Sequence, residues 1–311
     1  MYRYPGSLSW VLPRLIPVCL LATPSVAMAG DLKVSLAPGY TTGDYGSNIR
    51  TDTYEMPLKL RYQEGPYKIS IRIPYLAVTG PQTAVPGIGV VGSPDNGRRR
   101  GRNVVQSGSG RGGGPGPSGG TGGGGGGTDD TTTSSGTATS ANSRSTVQGL
   151  GDLGLAASAR VLGGQSGDWF KLELGGGTKL PTGDKGRGLG TGQVGLSAQL
   201  VATFDFTPDL SLEVTAGRFF HTRNSPDLQL KDYFYTSTSL SYDINPKVTV
   251  GVSLDVQERS VTDGTSVVET GIFAEYEILP GTRIGANVFH GFTRDSAAFG
   301  AGLLLSHKFS L

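Results

Sequence analysis

From residue 31 to the C-terminus, nearly every segment without turn residues alternates apolar and polar side chains. Between 51 and 63, Tyr54, Met56, Leu58, Leu60 and Tyr62 share one face, and Glu55, Lys59, Arg61 and Gln63 share the other. Between 67 and 79, Tyr67, Ile69, Ile71, Ile73 and Tyr75 oppose Lys68, Ser70 and Arg72. Between 247 and 260, Val248, Val250, Val252, Leu254 and Val256 oppose Thr249, Ser253, Asp255 and Gln257. A period of two is that of an extended strand, whose successive side chains leave the backbone on opposite sides. The pattern predicts about twelve strands, at 31–42, 51–63, 67–79, 149–162, 168–180, 191–206, 209–222, 231–244, 247–260, 266–278, 281–293 and 298–311. Each is slightly longer than the roughly 9–11 residues with which a tilted strand crosses a bilayer.

The connections alternate in length. EGP (64–66), GGQSG (163–167), TPD (207–209), NP (245–246) and LPG (279–281) are short, whereas TGDYGSNIR, PTGDKGRGLG and TRNSPDLQ are long. Short turns at one end and long loops at the other are the pattern of an all-β, antiparallel, up-and-down transmembrane barrel of the outer membrane, with both termini on the periplasmic side. Aromatic residues fall near the strand ends: Tyr62, Tyr67, Phe170, Phe204, Tyr242, Tyr276 and Phe309 on the periplasmic side, and Tyr40, Tyr54, Tyr75, Phe220, Phe234 and Phe292 on the other. Two such girdles around an aliphatic band mark the two membrane interfaces. A soluble β-sandwich also alternates, but it has no reason for girdles or for unequal loops.

The residues Gly190 to Gly195 (GTGQVG) match the dinucleotide fingerprint G-x-G-x-x-G. That fingerprint needs a helix opening at the glycines, so that the helix N-terminus faces the pyrophosphate. Here Val194, Leu196, Ala198, Leu200, Ala202, Phe204 and Phe206 alternate onward as a strand, broken only by Val201. The strand glycines, Gly175 to Gly177 among them, instead suit close backbone approach and bends of a barrel wall.

The first residues read as a secretory signal: Arg3 and Arg14, a short apolar run from Leu15 to Ala22, and Ala27-Met28-Ala29 as a cleavage site, predicting a signal peptide at 1–29 and a barrel from 30 to 311. Cys19 is the only cysteine, and the bulky Val18 before it argues against lipid attachment there. A disulfide framework and thiolate chemistry are thereby excluded for the exported chain. A net charge of +2 gives no argument for a nucleic-acid partner. Residues 80–147 hold GRRRGR, GGGPGPSGGTGGGGGG and TDDTTTSSGTATSANS, a composition that buries no core and predicts a long disordered loop. Arg98, Arg99, Arg100 and Arg102 in it read either as a docking patch for lipopolysaccharide or, more simply, as a solvated charge run. Because the closure entropy of so long a loop depends weakly on its length, deleting 90–140 is expected to leave a heat-modifiable, detergent-stable barrel. Loss of membrane insertion in that deletion would mean that the segment folds inside as a plug.

No catalytic site is read. Outer-membrane lipases place histidine and serine two apart on one strand, on one side of the wall, and none of His221, His290 and His307 has serine two residues on. Three histidines on separate strands make no metal set, and nothing calls for a cofactor. The polar strand faces are informative instead. Candidate pore-lining residues are Glu55, Lys59, Arg61, Lys68, Arg72, Arg160, Lys171, Glu173, Asp255, Glu269, Glu275 and Arg283. The early strands are mainly basic and the later ones mainly acidic, which predicts either a polar channel with a transverse field or structural ion pairs across the interior.

Two stretches carry a family resemblance. GLGDLGLAASARVL (149–162) and KLELGGGTKLPTGDKGRGLGTGQVGLSAQL (171–200) resemble the outer-membrane family named for the MetA pathway of phenol degradation, through Gly149, Gly151 and Asp152, then Lys179 to Asp184, then Gly190 to Gly192. The insertion at 80–147 departs from the family pattern. The resemblance implies a barrel that passes small, often hydrophobic or aromatic, compounds. The partners expected are outer-membrane lipid, lipopolysaccharide and a small solute.

Overall fold

The structure is a computed structural model and describes residues 30–45, 50–80, 145–164, 167–222, 230–260 and 264–311. The expected signal peptide and almost all of the expected disordered loop lie outside these residues. Fourteen strands form one antiparallel sheet: β1 (Asp31–Leu36), β2 (Gly39–Gly43), β3 (Thr51–Glu64), β4 (Tyr67–Gly80), β5 (Ser145–Leu150), β6 (Leu153–Gly163), β7 (Phe170–Leu180), β8 (Gly195–Asp205), β9 (Leu210–His221), β10 (Tyr233–Asn245), β11 (Val248–Gln257), β12 (Val267–Leu279), β13 (Thr282–Gly291) and β14 (Phe299–Ser310). β1 pairs with β14 from Asp31↔Ser310 to Leu36↔Leu305, and with β3 on its other side, so the sheet closes on itself. β1 with β2, and β5 with β6, are single crossings broken in the middle, which makes twelve crossings. The chain is thus a twelve-stranded closed barrel, as the alternation predicts.

The breaks have a shared cause. Pro38 separates β1 from β2, Pro57 pairs with Pro74 across β3 and β4, and Gly151-Asp152 separates β5 from β6. Proline has no N–H for the ladder, so pairing lapses beside it. Isolated bonds bridge the gaps: Ala37 N–H donates to the Pro57 carbonyl (3.2 Å), Gly151 N–H to that of Pro74 (2.9 Å) and Leu303 N–H to that of Pro38 (2.8 Å). Strand ends shift by a few residues in several places, and two of the shifts bear on the site. Gly80 and Ser145–Val147, assigned above to the long loop, are paired in β4 and β5. Residues 191–194, assigned to a strand, belong to a loop, because β8 starts at Gly195.

The outer face is the apolar one. Ile69, Leu174, Val252, Ile272 and Leu303 are about half exposed or more (59%, 49%, 49%, 60% and 60%). Such surface is stable only against lipid. The inner face holds polar residues with five aromatics among them: Phe219, Tyr233, Tyr235, Phe273 and Phe289. Tyr235 pairs with Gly217, Phe273 with Gly251, and Phe289 with both Gly271 and Gly300, so the rings lie along the wall over positions without a side chain. This is the physical role of those strand glycines. A Cβ at Gly251 would overlap the Phe273 ring and the Leu240 carbonyl oxygen. Gly251→Val is therefore expected to destabilise the barrel by about 1–3 kcal/mol through overpacking, read as a lowered temperature of the heat-modified band shift.

Candidate functional site

All twelve sequence-predicted site residues lie on the inner face, but in two environments. Lys68, Glu173, Glu269, Glu275 and Arg283 are buried (4%, 3%, 1%, 3% and 7% exposed). Glu55, Lys59, Arg61, Arg72, Arg160, Lys171 and Asp255 are only part-buried. Next to the part-buried group, β6 and β7 present Gly154, Ala156, Ser158, Gly175 and Gly177 inward, so the lumen beside the basic residues is lined by small groups. The wall from β8 to β13 is filled instead by the aromatics and by Gln199, Thr215, Ser239 and Asn287, all buried.

The ion pairs of Lys68, Lys171, Arg72 and Arg283 run along the wall, to near neighbours. Lys68 Nζ meets Glu173 Oε1 at 2.6 Å, passing over the small Ser158 of the strand between them. Lys171 Nζ meets Asp205 Oδ2 at 2.9 Å, and Arg72 pairs with Glu55. Arg283 reaches Glu277 at 2.8 Å and Glu275 at 3.7 Å. Arg160 donates to the backbone carbonyls of Gly164 (3.1 Å) and Gly65 (3.4 Å) at the short-turn end. Adjacent strands are only about 4.8 Å apart, so lateral partners are within reach of one side chain where a partner across a twelve-stranded lumen is not.

At the long-loop end, the residues that carried the family resemblance converge on one carboxylate. Asp152 lies in the break between β5 and β6. Its Oδ2 accepts from Lys179 Nζ (2.7 Å), Thr191 N–H (3.1 Å) and the Thr191 hydroxyl (3.3 Å), and its Oδ1 accepts from Gly183 N–H (3.0 Å). Lys179 also donates to Thr191 Oγ1. The side chains of Lys179 and Asp152 are 6% and 8% exposed. Both ends of the loop 181–194 are thereby tied to the wall. Thr182 Oγ1 adds a bond to the Gly151 carbonyl (3.0 Å) and accepts from Leu153 N–H (2.9 Å). Within the loop Asp184 caps a single 3-10 turn, Lys185–Arg187, which ends at Gly188 with φ 72°. Gly190 is required because a Cβ there would strike the Asp152 carboxylate. Gly192 adopts φ 65°, the left-handed region that favours glycine. The fingerprint-like glycines thus serve a tightly folded loop.

The loop is turned inward. Leu189, Thr191 and Gln193 are buried (3%, 2% and 8%), Leu189 packing toward Gly149. Thr222 joins the next long loop to it, donating from N–H (3.2 Å) and Oγ1 (2.9 Å) to the Val194 carbonyl. A third long loop also folds in: Ala297 N–H donates to Glu269 Oε1 (2.9 Å), and Asp295 accepts from Thr265 N–H (2.6 Å). Among the described residues, parts of 181–194 and 292–298 thus fold inward at this end, and 181–194 is the more heavily tethered. The sequence reading placed Asp152 and Lys179 in the family motif but not among the site residues. Their closeness depends on the register of β6 against β7, which pairs Gly154 with Lys179 and so sets Asp152 beside the lysine. Among the described residues no group of histidine, cysteine, aspartate and glutamate is arranged to hold a metal ion.

The family model described as "Putative MetA-pathway of phenol degradation" matches residues 100–309, about two thirds of the chain. No curated protein matches the sequence. Among solved structures the chain is similar to an outer membrane channel from Pseudomonas putida F1, at 12% identity and TM-score 0.60, over 92% of this chain and 99% of that one. It also matches a KdgM porin (9% identity, TM-score 0.46, 89% of this chain and 99% of that one) and the CymD monoaromatic hydrocarbon channel (7%, 0.40, 91% and 88%). The likeness to the first of these shows the same closed-barrel fold.

Proposed function

The chain belongs to the family named for the MetA pathway of phenol degradation, and on that premise we propose that it is a passive outer-membrane channel for small solutes, apolar or aromatic compounds among them. The observation that carries this reading is the part-exposed lane on the inner face of β3 to β7. Lys59, Arg61, Arg72, Arg160 and Lys171 stand there beside Gly154, Ala156, Ser158, Gly175 and Gly177, with Glu55 as the part-buried acid of that stretch. Small side chains leave the space, and the excess of cations sets the field in it. The lane favours anions and polarised neutral solutes. The buried set, Lys68, Glu173, Glu269, Glu275 and Arg283, holds the wall in shape. The loop 181–194 sets the aperture at the extracellular mouth. No step of covalent chemistry is assigned to any residue.

The test is swelling of proteoliposomes in small solutes of graded size and charge. Swelling is expected in phenol-sized neutral and anionic solutes, and to be slower in cationic solutes of equal size. A second reading, a non-conducting barrel whose 80–147 loop mediates surface docking, draws on the filled interior from β8 to β13. Under that reading no solute swells the vesicles, whatever its charge.

A further inference from the structure

Among the lysines and arginines of the described strands, Arg218 alone has its side chain on the outward, membrane-facing side of the wall. The others, from Lys33 on β1 to Lys308 on β14, face inward. An arginine facing lipid is expensive at mid-membrane and tolerated at headgroup level. Arg218 stands three residues before the extracellular end of β9, and its cross-strand partner Phe234 is the second residue of β10, so the pair is at that level. Its guanidinium carbon lies 5.1 Å from the centre of the Phe220 ring and 4.7 Å from that of Phe234. The two aromatic rings hold the guanidinium in place at the surface. The other flanking residues, Ala198, Ala216 and Thr236, are small, and Thr236 spends its hydroxyl on the Thr215 carbonyl at 2.9 Å. Of the acids at this end, Glu258 accepts from Phe234 N–H at 3.0 Å and Asp232 from His221 N–H at 2.9 Å.

An outward arginine at this height, held by two girdle aromatics, is matched to a lipid-borne anion. The outer leaflet of an outer membrane is lipopolysaccharide, whose lipid A carries phosphates at the level of the headgroups. Planar N–H pairs bind phosphate oxygens two at a time. We propose that Arg218, clamped between Phe220 and Phe234, docks a phosphate of lipid A on the outer surface of the barrel. The inference rests on the orientation of the barrel in the membrane and is independent of conduction.

The test is binding of the detergent-purified full chain to lipid A, to dephosphorylated lipid A and to phosphatidylglycerol, measured by thermophoresis. Lipid A is expected to bind at least tenfold more tightly than either of the others. Arg218→Met should abolish most of that preference, and Arg218→Lys, which keeps the charge and loses the planar fork, should keep part of it. Should Arg218→Met fail to insert, Phe234→Leu and Arg218→Lys carry the test, both being expected to weaken lipid A binding severalfold. Equal binding of lipid A by wild type and the variants overturns the proposal. So does equal binding of phosphatidylglycerol and lipid A by the wild type.

Discussion

Asp152→Ala is expected to give the largest combined effect of any single substitution: a barrel less stable by about 3–5 kcal/mol and a larger conductance. Removing the carboxylate strands the buried Lys179 ammonium without its counter-charge, and that is the costly half of breaking a buried pair. It also takes the acceptor from Gly183 N–H and Thr191 N–H, so the loop 181–194 loses a tether near each end and keeps the bonds of Thr182 and Thr222. With the tether gone, Leu189 no longer has to sit inside the mouth, and the aperture widens. Asp152→Ala combined with Lys179→Met separates the two consequences. The stranded charge is gone, so much of the stability should return, while the loop remains released and the conductance remains high. Thermal unfolding by heat-modified mobility and single-channel recording of the same preparations check both. Unchanged conductance in the stable double variant would show that the loop does not set the aperture.

The second large effect is a contrast between two cations on the same wall. Lys68 and Glu173 are 4% and 3% exposed and paired at 2.6 Å. Lys68→Met should therefore cost about 3–5 kcal/mol by leaving Glu173 charged and buried. Arg61 is only part-buried, where solvent screens its interactions. Arg61→Gln should change stability by no more than about 1 kcal/mol and shift ion preference toward cations. If Lys68→Met instead alters selectivity and leaves stability untouched, the division into structural and lane-lining charges is wrong.

Much of the architecture is legible in the sequence because membrane and lumen impose opposite polarity on alternate residues. Tyr54 to Tyr62 and Val248 to Val256 declare their outward faces without help from any partner. Boundaries fail where alternation continues through residues that are not paired. Thr191 and Gln193 keep the period of β8, yet both are buried in the loop, where Thr191 bonds Asp152. Conversely, the strand β5 extends into what reads as loop, because Ser145 to Val147 have too few apolar residues to announce a partner. The middle breaks at Ala37-Pro38 and Gly151-Asp152 are two-residue events inside otherwise continuous patterns. The inward aromatics were hidden for a related reason. Phe219 beside Phe220, and Tyr233 and Tyr235 around Phe234, blur the two faces, and only the register shows Tyr235 over Gly217 and Phe289 between Gly271 and Gly300. As for the site, inward orientation follows from periodicity alone. Which charges pair does not, because Lys68 and Glu173 are 105 residues apart and meet only after β6 is placed between their strands. The charge pattern leaves a transverse field and pairing across the interior as alternatives, and Lys68 meets Glu173 along the wall because a nearby strand is within its reach.

The account stands or falls on conduction along the basic lane. The most direct measurement is single-channel recording in planar bilayers under a salt gradient, with the reversal potential read for wild type and Arg61→Gln. Discrete conductance steps are expected, with a wild-type reversal potential of the sign for anion preference and a displacement toward zero or cation preference in Arg61→Gln. A correctly inserted barrel that gives no steps at any voltage, or steps whose reversal potential is the same in both proteins, would contradict it.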